Sequence, residues 1–412
     1  MSSIRTVRPE EASAALPIYA VWELTLRCDQ ACAHCGSRAG PNTPRPNELD
    51  TAEMLEVADA LLELGTREVT LIGGEAYLRG DIYTLIEHLS SRGVRVTMQS
   101  GGRGLSLARL GRLRDAGLAA IGISVDGTQA VHDELRANPG SHAAALQAIA
   151  NGKTLGMVVT SNTQVNRLNM VELPAIAREL EQAGATVWRA HLTVPMGRAA
   201  DRPEWIVQPY MILDILDSLA ALQAEAKAEG RDFRITLGNN LGYYGPHESE
   251  LRARPEAEDR YYMGCQAGRY SLGIESDGLV KACPSLPTGP YEAGNVRDMS
   301  LADIWNHSAR MRFSRDRTRD ELWGHCATCY YADLCRAGCS FTTHTTFGRR
   351  GNNPFCYYRA ARLRAQGIRE LIVQTHAAAG QPYDFGRFEL REQPWSDPLP
   401  APKAHTRLPV LS

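Results

Sequence analysis

Ten cysteines are spread unevenly along 412 residues. Cys28, Cys32 and Cys35 form a C-x3-C-x2-C cluster, and no cysteine follows until the group Cys265, Cys283, Cys326, Cys329, Cys335, Cys339 and Cys356. A secreted disulfide scaffold is small and cysteine-dense throughout; a chain of this length builds a core without staples, so clustered cysteines read as metal sites. Three thiolates from one loop bind three irons of a [4Fe–4S] cube and leave the fourth iron open. That iron accepts the amine and carboxylate of a small molecule. Zinc is the alternative, because a structural zinc site wants four ligands and His34 offers a fourth.

The elements that must carry the first cluster alternate between strand and helix patterns. Strands are predicted over residues 20–26, 68–72, 94–99, 119–125, 157–165 and 186–194, and helices over 51–64, 82–91, 105–116, 141–155 and 171–183. Such βα alternation implies a parallel sheet or barrel, too short here for eight complete units. Glycine-rich or polar residues close each strand, and parallel α/β folds place their chemistry at strand C-termini. Residues 209–229 read as a long helix, 234–237 as a strand, 238–246 as a glycine-rich turn and 247–260 as a charged connector. Residues 358–376 read as a helix. The tail from 380 shows little periodicity and is expected to run extended over the surface or to be partly mobile.

The first cluster, following the first strand, resembles that of the radical S-adenosylmethionine (SAM) enzymes. Further segments match that superfamily in order: Gly73-Gly74-Glu75, with Ala76 where proline is usual; Ser100-Gly101-Gly102; Ser124-Val125-Asp126-Gly127; Arg136; Asn166; and Pro195-Met196-Gly197-Arg198-Ala199. The resemblance implies an α/β fold, a partial (β/α)6 TIM-like barrel. It implies SAM binding by Gly73, Gly74, Glu75, Ser100, Ser124, Asp126, Arg136, Asn166 and Gly197. Glu75 and its glycines would meet the SAM amino group, Ser100 the ribose, and Arg136 the carboxylate.

The second pattern, Cys265-x12-Gly278-x4-Cys283, then Cys326-x2-Cys329-x5-Cys335-x3-Cys339, then Cys356, looks like the SPASM extension of these enzymes. A pair of zinc knuckles is the competing reading. The resemblance implies that Cys326, Cys329, Cys335 and Cys356 hold one auxiliary cluster fully, while Cys265, Cys283 and Cys339 leave another one thiolate short. Three [4Fe–4S] clusters and SAM are therefore expected. The implied organisation is an N-terminal extension (1–19), barrel core (20–200), connector (201–260), auxiliary-cluster domain (261–376) and tail (377–412).

The composition is that of a globular protein, with 43% hydrophobic and 22% charged residues and a formal net charge of −2. That balance argues against a basic nucleic-acid binder or a polybasic membrane protein. No run approaches the roughly 18 apolar residues that cross a bilayer. No export signal is read, and the clusters imply a reducing cytoplasm. The resemblance implies an oxidoreductase that cleaves SAM reductively to a 5′-deoxyadenosyl radical and abstracts hydrogen. A ribosomally made peptide, oxidised for example to a crosslink, is the expected substrate. A small molecule, aminosugar or tetrapyrrole, is the second reading, and an iron–sulfur electron carrier the third. Expected partners are a flavodoxin or ferredoxin as reductant and a separate leader-peptide-binding protein. Candidate catalytic residues are Glu23, on the first strand, and Tyr244, within Gly242–Glu248. Tyr261, Tyr262, Tyr357 and Tyr358 flank cysteines and are read as packing.

Overall fold

The computed structural model describes residues 14–252 and 261–399, with Arg5, Val7, Arg8 and Glu11 near the N-terminus. The connector stretch 253–260, the tail beyond 399 and most of the N-terminal extension lie outside the described residues. Strands β1 (Tyr19–Glu23), β2 (Glu68–Ile72), β3 (Arg95–Ser100), β4 (Leu118–Ser124), β5 (Val158–Val165), β6 (Val187–Leu192) and β7 (Arg234–Leu237) follow one another as parallel neighbours. From the C-terminal half, β8 (Ser271–Ile274) joins the outer side of β1 in parallel; β9 (Leu279–Lys281) and β10 (Gly294–Asn295) continue antiparallel. One ten-stranded sheet therefore runs from the barrel into the cysteine-rich region.

Alternation along each strand sorts side chains by face. Ala20 and Trp22, Val69 and Leu71, Val96 and Met98, Ile121 and Ile123, and Trp188 and Ala190 share a core with helix residues Ala58, Leu61, Leu85, Leu89, Leu110 and Ile176. The opposite face is polar. Tyr19 donates to Thr70 (3.0 Å), Thr70 bonds Thr97 (2.8 Å), and Asn162 donates to Gln99 (2.5 Å) across the strands. The barrel is apolar outside, against its helices, and hydrogen-bonding inside.

Three expectations need correction. Residues 358–376 do not form one helix: the helix Tyr357–Ala365 stops, and Ile368–His376 is strand β11. Gly367, at φ +73°, ends the helix as a left-handed cap, and the β-branched run after it favours a strand. Part of the tail is also regular, since β12 (Arg387–Pro394) pairs antiparallel with β11. Finally, the helical run Pro203–Ala228 is long and apolar enough to cross a membrane by length and composition, with 56% of its 18-residue apolar window buried inside the fold.

Trp188 is fully buried, stacks on Phe233 and donates its Nε1 to Thr163 at 2.8 Å. Replacing it with alanine is expected to lower the unfolding free energy by about 3–5 kcal/mol, read from urea denaturation.

Candidate metal centre

The segment 24–40 carries Cys28, Cys32 and Cys35 without regular helix or strand, so other elements must hold it. Gly74 and Glu75 donate their backbone N–H groups to the carbonyls of Thr25 (2.7 Å) and Arg27 (2.9 Å). A Cβ at Gly73 would sit 2.4 Å from the Thr25 carbonyl, and one at Gly74 2.2 Å from that of Arg27. Glycine is required by this close approach. Ala76, in the place of the usual proline, is fully buried and opens the 3-10 turn Ala76–Leu78. On the other side, Ala33 donates to Leu135 (2.8 Å), and Arg198 spans the loop from its N–H to Cys35 (3.0 Å) and its Nε to Cys32 (2.6 Å).

The strand-end residues meet around this loop. The Glu75 carboxylate accepts from Ser100 Oγ (2.7 Å) and the Gly101 N–H (2.6 Å), and lies with Cys28 and Asp29 inside a 4.8 Å cluster of potential ligand atoms. Burial is the main reason its pKa rises to about 8. Asp126 is fully buried and accepts from Arg136 Nη2 (2.5 Å), His34 Nε2 (3.0 Å) and the Gln164 N–H (2.7 Å). Burial works to raise its pKa, but the Arg136 guanidinium, then His34, holds it well below the usual carboxylate range. Arg136 also points Nη1 at Cys32 Sγ (3.7 Å), and its Nε has no partner. His34 Nδ1 faces the Leu135 carbonyl (3.0 Å). Both ring nitrogens are thus engaged away from the thiols, which removes His34 as a fourth zinc ligand. Asn166 spends its side chain on the Leu168 and Asn169 N–H groups and the Gln164 carbonyl, as a turn lock. Ser124 ends β4 opposite Asn162, and Gly197, at φ +56°, sits on the Cys35 and Gly36 carbonyls.

Glu23 does reach the barrel mouth, but it is tied down. Its carboxylate accepts from Arg45 (3.1 Å), Ser276 Oγ (3.1 Å) and the Tyr383 hydroxyl. Tyr244 is elsewhere: it stacks on Tyr331 at 4.0 Å and lines a cavity with Cys326, Cys329, Cys335 and Cys356. It is therefore placed against the C-terminal cysteines and not in the barrel mouth. Cys265, Cys283 and Cys339 form a separate group, close enough to influence one another electrostatically. Tyr243 joins the two groups, its hydroxyl accepting from the Cys339 N–H (3.1 Å) and its carbonyl facing Cys356 Sγ (3.7 Å). Tyr262 packs edge-on against Tyr243 at 4.7 Å, whereas Tyr261 is exposed. Arg38, Arg45, Tyr383 and Asp384 were missed from the sequence; Arg198 and Tyr243 lay inside segments singled out there, without a role of their own.

All ten cysteines are free thiols. Burial pushes Cys283 up to about 11 and Cys339 and Cys356 up to about 12. Crowded buried thiols ionise when a cationic metal centre compensates them. Buried polar atoms without partners stand beside every group: Asp29 Oδ1, Gln30 Nε2 and Arg136 Nε near the first, Gln266 Oε1 near the second, Asn353 Nδ2 and Arg359 Nε near the third. Such atoms offer hydrogen-bonding capacity to a bound group. The donor set and its surroundings fit iron–sulfur centres and a polar ligand.

An incompletely closed parallel barrel with thiols at its strand ends and further thiol groups behind it defines a class of iron–sulfur enzyme. Residues 22–186 match the Radical SAM superfamily, and residues 265–330 match SPASM, an iron–sulfur cluster-binding domain. The AdoMet-dependent heme synthase of Oleidesulfovibrio alaskensis is 30% identical over 365 residues, covering 85% of this chain and 89% of the relative. The mycofactocin maturase MftC of Mycolicibacterium smegmatis is 30% identical over 340 residues, 81% of each. The solved structure of native anSMEcpe with bound AdoMet shares the fold at TM-score 0.67 and 15% identity, over 84% of this chain and 95% of that one. The chain is a radical SAM enzyme with a SPASM domain.

Gly74→Ala is expected to push the Arg27 carbonyl, and the cysteine loop with it, away from the turn after β2. Alkylation of Cys28 and Cys32 in metal-free protein, followed by mass spectrometry, should accelerate several-fold while that of Cys335 stays slow.

Proposed function

We propose that this chain is a radical SAM/SPASM oxidoreductase that oxidatively modifies a ribosomally made peptide, for example by a crosslink. In this reading Cys28, Cys32 and Cys35 hold the SAM-binding [4Fe–4S] cluster. Cys326, Cys329, Cys335 and Cys356 hold a fully ligated auxiliary cluster, and Cys265, Cys283 and Cys339 hold one with a non-cysteine or open position. Gly73, Gly74, Glu75, Ser100, Ser124, Gly197 and the unpartnered Nε of Arg136 hold SAM, while Asp126 and Asn166 fix the turns that carry them. When bound and reduced, the cluster and SAM supply a carbon radical that removes hydrogen from an unactivated carbon. The chain's own part is to orient that carbon and exclude water. The polar inner ladder presents amide and hydroxyl groups suited to a peptide backbone. Tyr243 and the tyrosines around it shield the C-terminal groups.

The observation that carries the choice of substrate is the state of the cations at the barrel mouth. Arg38 is paired with Asp201 and Asp384, Arg45 with Glu23 and Glu275, Lys281 with Glu275, and Arg136 with Asp126. A substrate bearing several carboxylates would find these cations already matched and would have to displace buried carboxylates from them. A neutral peptide segment does not. The similarity to heme synthases favours a second reading, oxidation of a tetrapyrrole. A flavodoxin or ferredoxin supplies electrons, a separate protein presents the leader peptide, and the clusters call for a reducing compartment such as the cytoplasm.

Anaerobic reconstitution is expected to give about 12 iron and 12 sulfide per chain; a plateau near four would remove the auxiliary clusters. Cys35→Ala should abolish 5′-deoxyadenosine formation under dithionite, and Cys329→Ala should lose product formation more than SAM cleavage. Incubation with candidate precursors should give a mass change of about −2 Da on a peptide. Turnover of a porphyrin with no peptide product would establish the second reading.

A further inference from the structure

We propose that the tip of the C-terminal hairpin, residues 377–386, is a working wall of the barrel mouth, and that Asp384 is the positioning residue that fixes segment 195–201 for SAM binding. The proposal rests on the radical SAM reading of that segment. Neither the barrel nor the SPASM match extends to these residues.

The tip folds inward from between β11 and β12. The Asp384 carboxylate accepts from Arg38 Nε (2.9 Å) and Nη2 (3.2 Å) and, on its own loop, from the N–H groups of Gly380 (2.5 Å) and Gln381 (3.0 Å). Its carbonyl accepts the Gly197 N–H at 2.7 Å. Arg38 completes the latch by donating to the Gly197 carbonyl (3.0 Å) and both carboxylate oxygens of Asp201 (2.7 and 2.9 Å). Both backbone groups of Gly197 are therefore held, one by Asp384 directly and one through Arg38. Gly197 has no freedom on its other side, where a Cβ would lie 2.3 Å from the Gly36 carbonyl. A bridge between Phe385 and Met196 continues the contact.

The neighbouring residues show that the tip is seated and not merely draped. Tyr383, at φ +58°, is buried against Val194, Met196 and Phe341. Its ring lies 4.3 Å from Lys281 Nζ, and its hydroxyl donates to Glu23. A bulky residue keeps a left-handed backbone when its side chain is anchored in this way. Phe385 meets His344 edge-on at 5.0 Å, on the helix that follows Cys339. The tip thus touches the cysteine loop, the strand-end segment, the first strand and the SPASM helix at once.

The test uses the full-length, iron-loaded chain and SAM itself. Asp384→Asn and Asp384→Ala are expected to raise the SAM dissociation constant at least tenfold in equilibrium dialysis, with iron and sulfide unchanged, and Asp384→Glu to restore part of the affinity. Amide hydrogen exchange at Met196–Ala199 should accelerate in both variants, with or without SAM. An unchanged dissociation constant in both variants overturns the proposal. So does a rise matched by loss of iron in both, since that reports general collapse. A wild-type chain that takes up iron but binds no SAM overturns the underlying reading instead.

Discussion

Backbone hydrogen bonding to a loop with no regular structure is the constraint on which the molecule depends. Thiols in a fixed array need a rigid backbone beneath them, and segment 24–40 cannot supply its own. The fold grips it from outside, through Gly74 and Glu75 after β2, Leu135 at the end of a helix, and Arg198 beyond β6. Each grip is a main-chain contact or a guanidinium fork on a carbonyl. None uses a cysteine side chain, which leaves the thiols free to face a metal centre, while His34 and Arg38 of the loop add side-chain bonds of their own. The glycines at 73, 74 and 197 follow from the same demand, because the gripping strands approach too closely for a Cβ.

The polar inner face sets the second condition. A barrel lined with Glu, Thr, Gln and Asn would lose free energy if those groups were dry and unpaired. Here they bond one another across strands, and the charges at the mouth are matched. Breaking one partner is costly even where the intact pair contributes little. The network therefore acts on specificity: it fixes Glu23, Asp126 and Glu75 in single orientations and discourages charged intruders. His191 on β6 has its pKa lowered to about 3, chiefly by burial and then by Arg189, so the neutral ring is favoured there.

Much of this was legible in the sequence, for definite reasons. Cysteine spacing and the glycine or polar residue closing each strand are local signals, and parallel sheets put such residues at one rim. The strand positions of the barrel follow from short apolar runs separated by amphipathic helices. Partners were not legible. Arg136 was expected near a cofactor carboxylate, but nothing local showed that Asp126 and Cys32 take two of its nitrogens. Glu23 was recognisable as a polar residue in a strand, while Ser276 and Tyr383, its partners, are 253 and 360 residues away. The hairpin was hidden because β12, with charged residues at alternate positions, carries little apolar pattern on its own. Gly367 and the β-branched residues after it were the local marks of the change from helix to strand.

Long-range pairing also changes what the two halves of the chain mean. β8 pairs with β1, and its successor Ser276 bonds Glu23, so the SPASM region completes the barrel's edge and is not an appended module. Arg38 and Asp384, 346 residues apart, close the mouth from the far end of the chain. Contacts of such separation carry a loop-closure cost. The cysteine loop is held only where distant parts of the chain meet around it. Metal binding draws on that same folding free energy. The arrangement ties acquisition of the first metal centre to assembly of the mouth that will use it, and a partly folded chain presents thiols without the geometry to hold them in register.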